Sequence, residues 1–130
     1  MAKPHIHARS SVKIWGGKEE DYMDIHTFMD ASKSSVADNR HRFLTHNAWF
    51  ISFVIPRVFG ETFTNSDGRT VSTRDVAERH CLEDFGGFIP TAQDYAMAMK
   101  LEPWMNNGRE KPPSFVSIQS KEKIEVYGKD

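Results

Sequence analysis

Ala37-Asp-Asn-Arg-His-Arg-Phe-Leu-Thr-His-Asn-Ala-Trp-Phe-Ile-Ser-Phe-Val-Ile-Pro56 is the stretch on which the fold turns. Ala37, His41, Leu44, Ala48, Ile51 and Ile55 recur at three- and four-residue steps, which lines them along one face of a helix. Phe43, Phe50, Phe53 and Val54 widen that face until the helix is apolar nearly all round, as expected at the centre of a small bundle. Asp38 caps or precedes its first turn, Pro56 should kink it, and Gly60 is a natural stop.

Working outward, Tyr22, Ile25, His26, Met29 and Lys33 mark a preceding helix, with Glu19, Glu20 and Asp21 placing negative charge in its first turn. Ser34-Ser35 ends it. Residues 1–18 carry turn and loop signals up to Gly16-Gly17. On the other side, Asn65-Ser-Asp-Gly68 reads as the turn of a small hairpin. Ser72 and Asp75 have capping-box spacing, opening a helix that runs to Gly86-Gly87. Thr91 is the expected N-cap of another, with Tyr95 and Met99 facing inward and Pro103 ending it. Ser114 to Gln119 reads as a short strand, and Lys121–Asp130 as a charged tail that pairs with the hairpin or docks on a neighbouring subunit. The expected fold is mainly α: a small helical bundle of about four helices with a short β-hairpin and C-terminal strand. Its parts are an N-terminal loop segment (1–18), a helical core domain (19–105), and a linker with strand and tail (106–130).

A chain of 130 residues, 38% hydrophobic and 12% aromatic, is long enough for one core and too apolar for disorder. Lys+Arg 17 against Asp+Glu 18 gives a net charge of −1, without the basic footprint that phosphate-backbone binding requires. Arg40-His41-Arg42 with the Lys121 and Lys123 tail is the only motif that favours a nucleic-acid partner. Cys81 is the single cysteine, which rules out an internal disulfide and fits a reducing compartment. Met1-Ala-Lys-Pro-His is not read as a signal peptide, and Ala48–Pro56 is about half the length a membrane span needs.

The chemistry lies in histidines paired with acids at helical spacing. His26 with Asp30, and His80 with Asp84, are four apart; Asp38 and His41 are three apart. For any single pair, a solvated face or a hydrogen-bonded structural histidine is the simpler account. Three successive helices offering such a pair can converge on a bundle interior, where imidazole and carboxylate suit a divalent transition metal (zinc, iron or manganese). In this reading His26, His41, His80 and Asp84 hold the ion. Asp30, Asp84 and Lys33 carry the catalysis, and Arg42 and Lys33 meet the substrate's negative charge. His46 follows His41 by five residues and points about 140° away on an ideal helix, so His41, with its acidic neighbour Asp38, is preferred. His5 and His7 share a side in an extended segment and form a weaker chelating pair. Cys81 reads as a small buried apolar residue.

Taken together, His26-x-x-x-Asp30-x-x-Lys33, His41-Arg42, His46, Asn65-Ser66-x-Gly68, Glu78-x-His80, Glu83-Asp84-x-Gly86 and Ile89-Pro90-Thr91 resemble a family of small uncharacterised bacterial and phage proteins, over about residues 5–105. The resemblance implies a single domain and a bacterial or phage origin, and no activity. The HD-type metal phosphohydrolases fit less well, because their His-Asp doublet would fall on His41-Arg42 and arginine cannot ligate a metal. Nor is there a Glu-x-x-His pair of the di-iron bundles.

The first functional reading is a metal-binding protein acting as a metal-dependent hydrolase on a small phosphorylated or amide-bearing molecule. The alternative is a non-enzymatic structural or interaction protein, such as a phage component, with structural histidines. The expected partners are a second copy of the chain or another protein, with no membrane. The expected compartment is the bacterial or phage-infected cytoplasm, with a virion as the other setting.

Overall fold

A computed structural model describes residues 3–116. Among them, the residues up to Met99 form one compact unit and those from Lys100 a second. The described chain is mainly helical with a small two-stranded antiparallel sheet.

The first departure from the sequence reading is at the N-terminus. Residues 4–15, expected as loop, form helix α1 (Pro4–Trp15). Pro4 sits in the first turn, where its fixed φ suits a helix and its missing N–H costs nothing. The buried face is His7, Ala8 and Ser11, with Val12 and Trp15 packed against the core. That face is small and polar, so no hydrophobic periodicity announces it. It also separates His5, which is exposed, from buried His7, so the two form no chelating pair. Gly16 and Gly17 close the helix at positive φ, and a Cβ on Gly17 would run into Asp21.

Helix α2 (Glu20–Asp30) follows the expected pattern, burying Tyr22, Ile25, His26, Met29 and Asp30. A 3₁₀ turn (Ala31–Ser34) ends it. The long central helix does not form. In its place stand a 3₁₀ turn (Asn39–His41), the one-turn α3 (Arg42–Thr45), a π-helical segment (Phe50–Val54) and α4 (Ile55–Phe59). Two side chains account for the breaks. Asn47 acts as a local cap, its Oδ1 accepting from Phe50 N–H at 2.8 Å while its Nδ2 donates to the Phe43 carbonyl at 3.0 Å. Pro56 brings no N–H to bond four residues back, and the preceding turn widens to π geometry. The apolar surface around this segment is therefore not all interior: Trp49 and Phe53 are exposed and stack on each other.

Strands β1 (Thr62–Thr64) and β2 (Thr70–Ser72) pair with Phe63 opposite Val71, around the expected Asn65–Gly68 turn. Asn65 holds that turn and ties it to the core, donating to the Trp15 carbonyl and to Tyr22 Oη. Helix α5 (Thr73–Phe85) starts at Ser72, whose Oγ accepts from Asp75 N–H, and ends at left-handed Gly86. Thr91 and Asp94 form a full capping box on α6 (Ala92–Met97). Met99, expected inward, is exposed. In the second unit Pro103 opens α7 (Pro103–Asn107) where it was expected to end a helix. Seven α-helices thus occur among the described residues, three of them of four or five residues, against the four expected. Residues 114–116 form no strand, and the rest of that expected strand and the tail lie outside the described residues. No helix among the described residues is long and apolar enough to cross a membrane.

The core packs α1, α2 and α5 around Ala8, Tyr22, Met29, Ile51, Val76 and Cys81. Burial pushes the Cys81 thiol up to about 12, so it is neutral and enclosed at working pH. At pH 8 the native protein should therefore react with a thiol reagent only as fast as the domain opens. Stoichiometric labelling within seconds of mixing would contradict this burial.

Candidate metal centre

Five of the six histidines, His7, His26, His41, His46 and His80, are at most 1% exposed. Five imidazoles in so small a core require polar partners, since an unpaired buried polar group costs several kcal/mol. The partners are the hydroxyls of Ser11, Ser32 and Thr45, the carboxylates of Asp30, Glu83 and Asp84, and one bond between His26 and His80.

The two His-x-x-x-Asp turns, on α2 and α5, come together. His80 Nε2 lies 3.3 Å from both Asp30 Oδ1 and Asp84 Oδ2. His46 Nε2 lies 3.0 Å from Asp84 Oδ2 and 3.7 Å from Asp30 Oδ1. One donor atom from each of Asp30, His46, His80 and Asp84 falls within 4.8 Å of the others. Ligands at about 2.0–2.1 Å from a tetrahedral ion stand about 3.3 Å apart, and adjacent octahedral ones about 3.0 Å apart, so the 3.0–3.7 Å spacings fit either.

The surrounding hydrogen bonds decide where the protons sit. Thr45 Oγ1 donates to the Met29 carbonyl at 2.7 Å, so it can only accept from His46 Nδ1 at 2.8 Å. The proton of neutral His46 is therefore on Nδ1, and the Nε2 lone pair faces Asp84 and Asp30. A parallel chain fixes His80. Ser11 Oγ donates to the His7 carbonyl at 3.1 Å and accepts from His26 Nε2 at 2.8 Å. His26 Nδ1 is then an acceptor, and His80 Nδ1 donates to it at 2.9 Å. His80 Nε2 is left for the carboxylates. Two imidazole nitrogens and two carboxylate oxygens thus converge with only a proton or a metal ion available to bridge them.

Electrostatics agree. Burial pushes His26 down to about 3, and also lowers His46 despite Asp84 beside it. Burial acts the same way on His80, but Asp30 and Asp84 outweigh it and raise the residue above its ordinary value. Asp84 resists the upward push of burial because His46, His7 and His80 face it, and it stays well below the carboxylate range. Asp30 is lowered likewise.

Other residues stand around this centre. His7 Nδ1 donates to Glu83 Oε1 at 2.8 Å, which turns its Nε2 toward Asp84 Oδ1 at 3.2 Å without hydrogen-bond geometry. Arg42 reaches to 3.8 Å from Asp84 Oδ1, and Lys33 Nζ to 3.9 Å from Asp30 Oδ2. His26, expected as a ligand, has both nitrogens engaged by Ser11 and His80. His41, the other expected ligand, gives Nδ1 to Ser32 at 2.6 Å. Asp38 is not beside the centre but caps the 3₁₀ turn and pairs with Arg40.

His46 enters in place of His41 because the helix that would have set them about 140° apart is broken: His46 has φ −97° and ψ 62°. Its flanking Thr45 and Asn47, a proton-fixing hydroxyl and a local cap, were the readable signals. His7 had the matching Ser11 four residues on.

A cavity of about 760 Å³ within the first unit borders the centre through Arg42. Phe43, Phe85 and Tyr95 line it, and the Tyr95 hydroxyl donates to the His46 carbonyl at 3.0 Å.

No curated protein and no solved structure matches the chain. Residues 2–105, which carry every residue of this centre, match one family, and the chain belongs to it: DUF6915, a domain of unknown function.

Proposed function

We infer that this protein binds one divalent transition metal ion through Asp30, His46, His80 and Asp84, and that the ion activates water for hydrolysis of a small phosphorylated or amide-bearing molecule. The observation that carries this reading is the proton arrangement: Thr45 and the Ser11–His26 chain leave both imidazole Nε2 atoms facing two carboxylates. A mixed nitrogen and carboxylate set suits manganese or iron as well as zinc. An ion that prefers six ligands would, on such a four-donor set, have room for water, and metal-bound water would supply a nucleophile near neutral pH. His7, tied to Glu83, and Lys33 and Arg42 stand beside the two carboxylates and would supply polar and positive groups around a bound water.

A non-enzymatic role has its own supporting observation. Four protein donors complete a tetrahedral zinc sphere and leave no place for water, as in structural sites.

The test is elemental analysis of untagged full chain purified without added metal, beside His46→Ala, His80→Ala and His41→Ala. About one ion per chain is expected, lost in the first two variants and kept in the third. Metal-free protein that also fails to take up manganese, iron or zinc would remove the reading. Bound zinc with no water-exchangeable position would favour the structural role.

A further inference from the structure

The geometry points to the cavity beside Arg42 as the binding site for a phosphate monoester with an apolar alcohol, its head group on Arg42 against the metal centre and its body in the pocket. This deepens the hydrolase reading and rests on it for the chemistry, although the binding site stands on its own contacts. The cavity, about 760 Å³, is large enough for a small organic molecule. Its walls are mostly apolar, with Val36, Phe43, Phe85 and Met99 among them, and no carboxylate lines it among the described residues.

Two arginines supply the charge, and they are not equivalent. Arg40 is neutralised by Asp38, with Nη2 at 2.7 Å from Oδ2. Arg42 is not. Its side chain is 12% exposed, its Nη2 stops 3.8 Å from Asp84 Oδ1, and its buried Nε has no hydrogen-bond partner among the described residues. The guanidinium carbon lies over the Phe85 ring, 5.1 Å from its centre. A mostly buried guanidinium whose Nη groups make no hydrogen bond among the described residues is suited to a phosphate, whose oxygens accept from paired N–H donors. An amide would leave that charge unmatched, so the phosphate class is preferred over the amide class.

Placed this way, the phosphorus lies on the Asp84 side of the centre. In the reaction, the oxygen of a water forms a bond to phosphorus and the bond from phosphorus to the ester oxygen breaks. A proton from that water passes to the departing alkoxide, giving inorganic phosphate and the alcohol.

The test is calorimetric titration of phenyl phosphate, inorganic phosphate and phenol into the full chain, both manganese-loaded and chelator-treated. Metal content is measured on the same samples. Phenyl phosphate is expected to bind most tightly. Arg42→Met should weaken both phosphates roughly tenfold to a hundredfold at unchanged metal content. Phe43→Ala should weaken phenyl phosphate alone, roughly fivefold. If Arg42→Met does not fold, Arg42→Lys, which keeps the charge and loses the fork, should still weaken phosphate binding. Manganese-loaded protein that ignores phenyl phosphate, or Arg42 variants that bind it as well as the parent, overturns the assignment and leaves the metal centre intact. Binding that depends on Arg42 in a chain that takes up no metal supports the pocket and removes the hydrolase.

Discussion

Asp84→Asn is expected to be the most damaging single isosteric change in the molecule. One carboxylate faces His46, His80 and His7 and meets Arg42, so removing its charge strips compensation from four buried groups at once. Breaking a buried charge network of this kind costs about 3–5 kcal/mol. For a domain of this size that lowers Tm by on the order of 10–20 °C. The variant should also retain no metal. Asp38→Asn, at an exposed carboxylate whose partner is a neighbouring arginine, should shift Tm by a few degrees at most. Thermal melts of the two variants beside the parent check this. Equal losses would mean that Asp84 is not the hub of the buried cluster.

The second large effect is acid sensitivity. A histidine held below its ordinary value stays neutral in the folded chain while the unfolded chain takes up a proton. Its contribution is fully present above about 6.5 and is lost as pH falls through the folded value. Burial puts His26 at about 3, and lowers His46 and His41 in the same direction. His80 opposes them: its raised value contributes below about 6.5 and is lost as pH rises through its folded value. His26 carries the largest shift, so chelator-treated protein should begin losing stability near pH 6, well above the carboxylate range. His26 alone accounts for a few kcal/mol between about pH 6.5 and 3. Urea denaturation from pH 4 to 8 should show a steep limb in the parent. His26→Asn, which keeps an acceptor near Nδ1 and cannot titrate, should have a shallower one. Parallel limbs in the two proteins would show that His26 is not held neutral.

What could be read from the sequence follows from which side chains announce themselves. The His26–Asp30 and His80–Asp84 spacings were legible because a four-residue step fixes both groups on one face whatever the helix packs against. The hairpin turn and the Ser72 and Thr91 caps were legible for the same local reason. α1 was not, because its buried face is His7, Ala8 and Ser11, and polar burial leaves no hydrophobic period. The central segment misled in the opposite way. Its apolar periodicity was real, yet the backbone leaves the helix at His46 and Asn47 and widens to π geometry before Pro56, and the turn at His46 brings that ring to the aspartates. Pairing of His80 with His26, and of His46 with Thr45, depends on tertiary approach that no spacing encodes.

The four donors come from α2, from the turn after α3 and from α5, so an ion held there closes the chain from Asp30 to Asp84 into loops as a covalent cross-link would. Such an ion would act as a kinetic clasp. It would tie together the ends of segments 31–45 and 47–79. With an ion held there, the lifetime of the protein against proteases would track the supply of one trace element.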